Sequence, residues 1–220
     1  MPRNYPPKVL PAVAFALSTL FCGTVAPAQR VTRSAGRGTY GVMAGVNFAT
    51  LGGSDVENAK TRTGLVAGVY AAWPIASGLS FHPELVYDME GAKASDPQTE
   101  ATVKLDYVRL PLMLRYASPA GGSARPFLAI GPSLGYQVGC NVSGSDSGVS
   151  VSSSCDALAQ QVDLGRKKLD ASGRVEAGID LVAAGRTVTI GGAYSYGFTK
   201  LFKDTNARNR AFSVFAAFGL

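Results

Sequence analysis

His82 is the single histidine among 220 residues, and Ser80 and Glu84 flank it two positions to either side. Serine, histidine and carboxylate together are the parts of an activated nucleophile for acyl chemistry. Two further groups invite a chemical reading. Cys140 and Cys155 flank a Ser- and Gly-rich stretch, and Glu84, Asp88, Arg109, Arg115, Arg174, Glu176 and Asp180 recur through the chain at strand-like spacing. A metal site would need further Cys or His near the cysteine pair, and neither is there. Gly36-Arg37-Gly38-Thr39-Tyr40-Gly41 has dinucleotide-fingerprint spacing but opens no helix, so it reads as chance. Asn141-Val142-Ser143 matches a glycosylation acceptor and carries little weight.

What these residues can do depends on the elements that carry them. Arg3 and Lys8 precede an apolar run from Val9 to Cys22, which ends in Ala26-Pro27-Ala28. That order is a cleavable secretory signal, expected to be cut after Ala28. The run is shorter than a spanning helix needs and carries Pro11, Ser18 and Thr19. Bulky Phe21 stands before Cys22 where a lipoprotein site would have a small residue. Export to an oxidising compartment makes a Cys140–Cys155 disulfide the expected state of the pair, closing the loop between them. Without Arg3 and Lys8 the chain holds nineteen Lys and Arg against fifteen Asp and Glu, a formal +4. These are scattered, so no nucleic-acid footprint is expected.

Beyond Thr39 the residues alternate apolar and polar with period two, in segments long enough to cross a bilayer as tilted strands of about 9 to 11 residues. Eight segments emerge: Thr39–Leu51, Thr61–Trp73, Leu79–Glu90, Val103–Tyr116, Arg125–Val138, Lys168–Ala183, Thr187–Leu201 and Arg210–Leu220. One parity gathers Val42, Val46, Leu65, Val69, Leu85, Leu110, Leu114, Leu128, Ile130, Ile179, Ile190 and Val214. The other holds Gly41, Gly45, Asn47, Gly68, Thr189, Ser195 and the seven charged residues named above. Only 16% of the chain is charged, whereas a water-exposed surface usually carries about 25–35%. The apolar parity is therefore expected to face lipid and the polar parity a lumen.

Connection lengths point the same way. Short links (Pro74–Gly78, Ala117–Ala124, Ala184–Arg186) alternate with longer ones (Gly52–Lys60, Gly91–Thr102, Gly139–Lys167, Phe202–Asn209). That alternation belongs to an up-and-down barrel with short periplasmic turns and longer external loops. Tyr40, Trp73, Phe81, Tyr116 and Phe218 are expected near the periplasmic interface, and Phe48, Tyr87, Tyr136 and Phe212 near the outer one. Pro83, Pro111 and Pro132 fall inside strands of a sheet that has no edge, so bulges or local breaks are expected there.

The stretch Leu105-Asp106-Tyr107-Val108-Arg109-Leu110-Pro111-Leu112-Met113-Leu114-Arg115-Tyr116 resembles the signature strand of PorT-like outer-membrane β-barrel proteins. Phe81-His82-Pro83-Glu84-Leu85 looks like that family's third strand, and Arg125-Pro126-Phe127-Leu128 with Gly131-Pro132 like its fifth. Residue 109 is basic where the family often has an acid. The resemblance spans the mature chain and implies an outer-membrane barrel without catalytic residues. The final segment, Phe212 to Leu220, looks like a terminal strand read by barrel-assembly machinery, with Leu220 in place of the usual aromatic.

The sequence thus predicts an all-β protein: residues 1–28 a signal peptide, 29–38 a periplasmic segment, and 39–220 an eight-stranded antiparallel up-and-down transmembrane β-barrel. Eight strands leave an interior that side chains fill, so the seven charges are expected to form a network plugging the lumen. His82 then points inward, out of reach of membrane lipid, and no catalytic, cofactor or metal site is expected. The function predicted is a structural or interaction role through external loops, above all the 140–167 excursion. Expected partners are outer-membrane lipids, the barrel-assembly machinery and a ligand at the long loops, with the chain a monomer. A narrow channel or carrier of small apolar molecules is the second reading, a lipid-modifying enzyme the third and a soluble lipocalin-like barrel the fourth.

Overall fold

Alternation of branched and aromatic residues with small or polar ones favours extended backbone, because each side of a pleated strand then meets one environment. A computed structural model describes residues 38–53, 60–95, 99–119, 122–146, 149–155, 157, 168–199 and 207–220. The expected signal peptide and the segment up to residue 37, including Gly36 and Arg37 of the 36–41 glycine motif, lie outside the described residues, as do Leu201 and Phe202.

Nine strands are found among the described residues: β1 (Thr39–Gly52), β2 (Lys60–Ala76), β3 (Leu79–Ser95), β4 (Thr99–Ala117), β5 (Ala124–Asp146), β6 (Val149–Ser154), β7 (Leu169–Ala183), β8 (Arg186–Gly197) and β9 (Arg208–Gly219). Eight of them close an antiparallel barrel in the order β1-β2-β3-β4-β5-β7-β8-β9. The seam between first and last strands runs from Gly41↔Gly219 to Gly52↔Arg208. Closure leaves the wall no free edge. The ninth strand, β6, pairs only with the far end of β5, from Asn141↔Ser154 to Asp146↔Val149.

That hairpin corrects the expectation of an irregular 139–167 excursion. Pairing of β5 with β7 stops at Tyr136↔Leu169. Beyond it β5 continues to Asp146 between β4 and β6. About 30 Å of strand therefore rises past the point where β7 leaves the wall, at roughly 3.4 Å per residue. Likewise the 91–102 link is mostly β3–β4 ladder, continuing to Ser95↔Glu100.

At the opposite rim the connections are tight. Ala184 (φ 50°) and Gly185 (φ 75°) join Ala183 to Arg186. Positive φ at both central residues is the type I′ geometry that suits the twist of a two-residue hairpin.

Pro83, Pro111 and Pro132 break the ladder without shifting it. Between Pro83↔Leu112 and Val86↔Arg109 two pairs are missing, and two more between Pro111↔Ser133 and Leu114↔Ile130, yet register is unchanged across both gaps. An imide removes a donor but adds no residue, so the strands stay in step. Register shifts instead lie at Thr61/Val66, Pro74/Ala76 and Asp106/Tyr107.

The two faces separate as the alternation requires. Leu128 (56% exposed), Ile130 (59%) and Ile190 (53%) point outward with the other apolar-parity residues, while Asn47, Arg109, Arg174 and Ser213 are almost wholly buried. Phe48 and Tyr194 flank Phe212 in one outward row at the long-link rim. Trp73 stacks against Phe81 near the short-turn rim, ring centres 6.2 Å apart.

Candidate functional site

The inner face of β4 carries Leu105, Tyr107, Arg109, Met113 and Arg115, in order from the long-link rim to the short-turn rim, and the lumen is organised around it. Tyr107 is fully buried, with the Arg109 guanidinium 4.6 Å from its ring centre. Asn209 Nδ2 donates to the Tyr107 hydroxyl at 3.3 Å. Leu105 and Tyr107 form a small apolar cluster with Leu51, Val103 and Cys140 beneath this rim.

Arg109 is the hub below. Its Nε and Nη2 donate to the two Glu90 carboxylate oxygens at 2.8 and 2.7 Å, and Nη2 also donates to Asp170 Oδ2 at 2.8 Å. Asp88 lies 3.9 Å from Nε and accepts from Asn47 Nδ2 at 2.5 Å. Thr199 Oγ1 donates to Asp170, and Arg62 donates to the Glu90 backbone carbonyl. A two-pronged guanidinium–carboxylate pair is among the strongest hydrogen-bonded contacts a side chain makes.

Nearer the short-turn rim, Arg174 Nε donates to Glu176 at 2.6 Å and Arg115 Nη2 to Asp180 at 2.5 Å. Thr189 Oγ1 adds a bond to the same Asp180 oxygen at 2.7 Å. The Arg115 guanidinium lies 3.8 Å above the Phe127 ring.

Of the seven expected network residues, the described structure thus joins Asp88 to Arg109, Arg174 to Glu176, and Arg115 to Asp180. Glu84 is buried but its Oε2 has no hydrogen-bond partner. Glu90 and Asp170, the principal partners of Arg109, were not among the seven. Their parity, shared with Asp88 and Arg174, was the signal that could have found them.

The interior is also less polar than the sequence reading has it. Met43, Val66, Val86, Phe127 and Phe215 form a buried apolar belt. Phe127 and Phe215 fill space that Gly178 and Gly191 leave: a Cβ at Gly178 would stand 2.7 Å from Phe127, and one at Gly191 2.9 Å from Phe215. Aromatic rings laid over glycine pack an eight-stranded lumen that uniform side chains would crowd.

Ser80, His82 and Glu84 do not assemble as a nucleophilic triad. They succeed one another on the inner face of one strand, where alternate residues are about 6.6–6.8 Å apart. No hydrogen bond joins His82 to either, among the described residues. Instead His82 stacks on Tyr70 (5.9 Å, 8°), and Ser80 Oγ donates to the Arg115 carbonyl at 3.4 Å. A cavity of about 240 Å³ opens beside them toward the short-turn rim, lined by Ser80, His82, Arg115, Asp180 and Thr187 among others. A smaller one, about 20 Å³, is lined by Glu84, Glu176, Phe127 and Phe215 among others.

At the long-link rim Cys140 and Cys155 are disulfide-bonded, Cα atoms 5.4 Å apart. They continue the β5–β6 register one step past Asn141↔Ser154, so the bond clasps the base of the raised hairpin.

Residues 28–203 match the outer membrane protein beta-barrel domain family. The chain belongs to that family. Its place is accordingly the bacterial outer membrane, and the outward apolar face is its lipid-facing surface. No curated protein matches the chain. Among solved structures, Neisserial surface protein A is 18% identical, covering 81% of this chain and 95% of its own, with a TM-score of 0.47. Ail, the attachment invasion locus protein of Yersinia pestis, is 12% identical over 83% of this chain and 99% of its own (TM-score 0.43). OprG of Pseudomonas aeruginosa is 11% identical over 83% and 96% (TM-score 0.39).

Proposed function

We propose that this outer-membrane barrel is a closed-lumen structural or interaction protein, working through the raised hairpins of its long-link rim rather than by conduction or catalysis. The observation that carries this reading is the hub at Arg109, which Glu90, Asp170 and Asp88 hold on the inner face of β3, β4 and β7 next to buried Tyr107. Opening a path would part these groups and leave charges unpaired in a confined interior, at a cost of several kcal/mol. A narrow channel requires that separation.

The hairpins suit contact with a partner because a rigid wall carries them and a disulfide clasps one of them. The long-link rim is external in this reading, since outer-membrane barrels keep their short turns in the periplasm. Cleavage after Ala28, insertion by the barrel-assembly machinery, a monomeric state and the finer kinship to PorT-like barrels, argued from Leu105–Tyr116, belong to the same proposal. The separation of Ser80, His82 and Glu84 favours a non-enzymatic role.

Swelling of liposomes carrying the folded protein tests closure. Vesicles placed in an isotonic small sugar are expected to swell no faster than protein-free ones. Swelling that rises with protein content would contradict it.

A further inference from the structure

The cavity at the short-turn rim adjoins an inner recess lined by Phe127 and Phe215, and a buried carboxylate oxygen without a partner faces that recess. His82 and Glu84 are both more than nine-tenths buried and both face the inner recess. Glu84 Oε2 has no hydrogen-bond partner, and the His82 ring stacks on Tyr70 beside it. A buried carboxylate oxygen without a donor is costly, and a cationic donor supplied from outside offsets that cost.

The balance of charge decides the sign of the ligand. The recess and the cavity below it bring Glu84, Glu176 and Asp180 against one guanidinium, Arg115. Arg115 is committed to Asp180 through Nη2 and to the Phe127 ring through its face. Glu176 is committed to Arg174. With Arg174 counted, three carboxylates face two guanidinium groups, and Glu84 is the carboxylate without a hydrogen-bonded cation among the described residues. The stacked rings of Tyr70 and His82 add aromatic faces, which favour a cation over an anion. About 240 Å³ equals roughly eight waters at about 30 Å³ each, enough for a molecule of a few heavy atoms only.

We propose that this vestibule binds a small primary-amine cation entering from the short-turn rim, with its ammonium group between the Glu84 carboxylate and the His82 ring. The site does not depend on closure at Arg109, so it stands apart from the reading of the long-link rim.

The lone histidine provides the probe. Protein labelled with 15N-histidine and folded in detergent micelles gives one set of imidazole signals, which is followed while ethylammonium chloride is added. A saturable shift is expected, with sodium acetate producing none. Glu84→Gln is expected to weaken the response at least tenfold, and Ser80→Phe, which fills the entrance and leaves the charges intact, to abolish it. Heat-dependent gel mobility identifies folded protein; if Glu84→Gln does not fold, Ser80→Phe decides. Absence of a saturable shift, saturation by acetate instead, or an unchanged response in either folded variant would overturn the proposal.

Discussion

Arg109 and Asp170 meet at 2.8 Å although β5 stands between their strands in the wall. Gly135 makes the contact possible. It pairs with Arg109 on one side and with Asp170 on the other, and a Cβ there would stand 2.7 Å from Arg109 Nη1. The guanidinium lies across the gap left by a missing side chain, so the lumen network depends on a residue with no functional group.

Gly135→Ala is therefore expected to push Arg109 off Asp170 and to cost about 1–3 kcal/mol, the usual range for overpacking a filled interior. Urea unfolding in phospholipid vesicles, followed through the single Trp73, measures it. Unchanged stability would mean that Arg109 does not lie across Gly135.

Removing the hub is expected to cost more. Arg109→Leu leaves Glu90, Asp170 and Asp88 facing one another without their cation, a loss of about 3–5 kcal/mol. Combining it with Glu90→Gln and Asp170→Asn is expected to restore part of that loss in the same assay. A single variant within about 1 kcal/mol of the parent would remove Arg109 from the centre of the network.

The lipid-facing surface predicts a depth profile. Ile130, midway along the spanning part of β5, is expected to lose about 2–4 kcal/mol on substitution by Arg, whereas Leu169→Arg at the rim loses about 0–1 kcal/mol. Both residues are exposed in the isolated chain. Equal and negligible effects, read by vesicle unfolding, would signify water rather than acyl chains outside the wall.

The Cys140–Cys155 clasp is expected to stabilise the raised hairpin and not the barrel. Closing a loop of 15 residues contributes about 3 kcal/mol, mainly by restricting the unfolded segment. A Cys140→Ser, Cys155→Ser protein should keep its heat-dependent gel mobility while limited proteolysis cuts faster between residues 140 and 155. Loss of the mobility shift would make the disulfide a requirement for the barrel itself.

Much of this architecture was legible in the residues. Period-two alternation at Leu110, Leu114, Leu128 and Ile130 assigns an outward face because such strands have one greasy side and one small or polar side. The signal fails where both sides are apolar: Met43, Phe127 and Phe215 alternate with other hydrophobic or small residues, so the inner apolar belt leaves no mark in the pattern. Strand ends were hidden for another reason. Ser, Gly and Asp between Gly139 and Asp146 carry weak strand preference, and cross-strand pairing with β4 and β6 holds them extended. Glu90 and Asp170 lie near segment ends, where sequence spacing alone does not reveal that a long arginine reaches both. At Pro83, Pro111 and Pro132 the sequence leaves bulges and local breaks as alternatives, because a lost donor and an added residue look alike there; the ladder shows breaks, and only an added residue would shift register.

Single-channel recording in planar bilayers tests the closed lumen most directly. Folded protein inserted from detergent is expected to add no unitary current steps in concentrated KCl, because the proposed closure has Tyr107 and the Arg109–Glu90–Asp170 hub block the bore. Reproducible steps of uniform size from the unmodified protein would contradict the account.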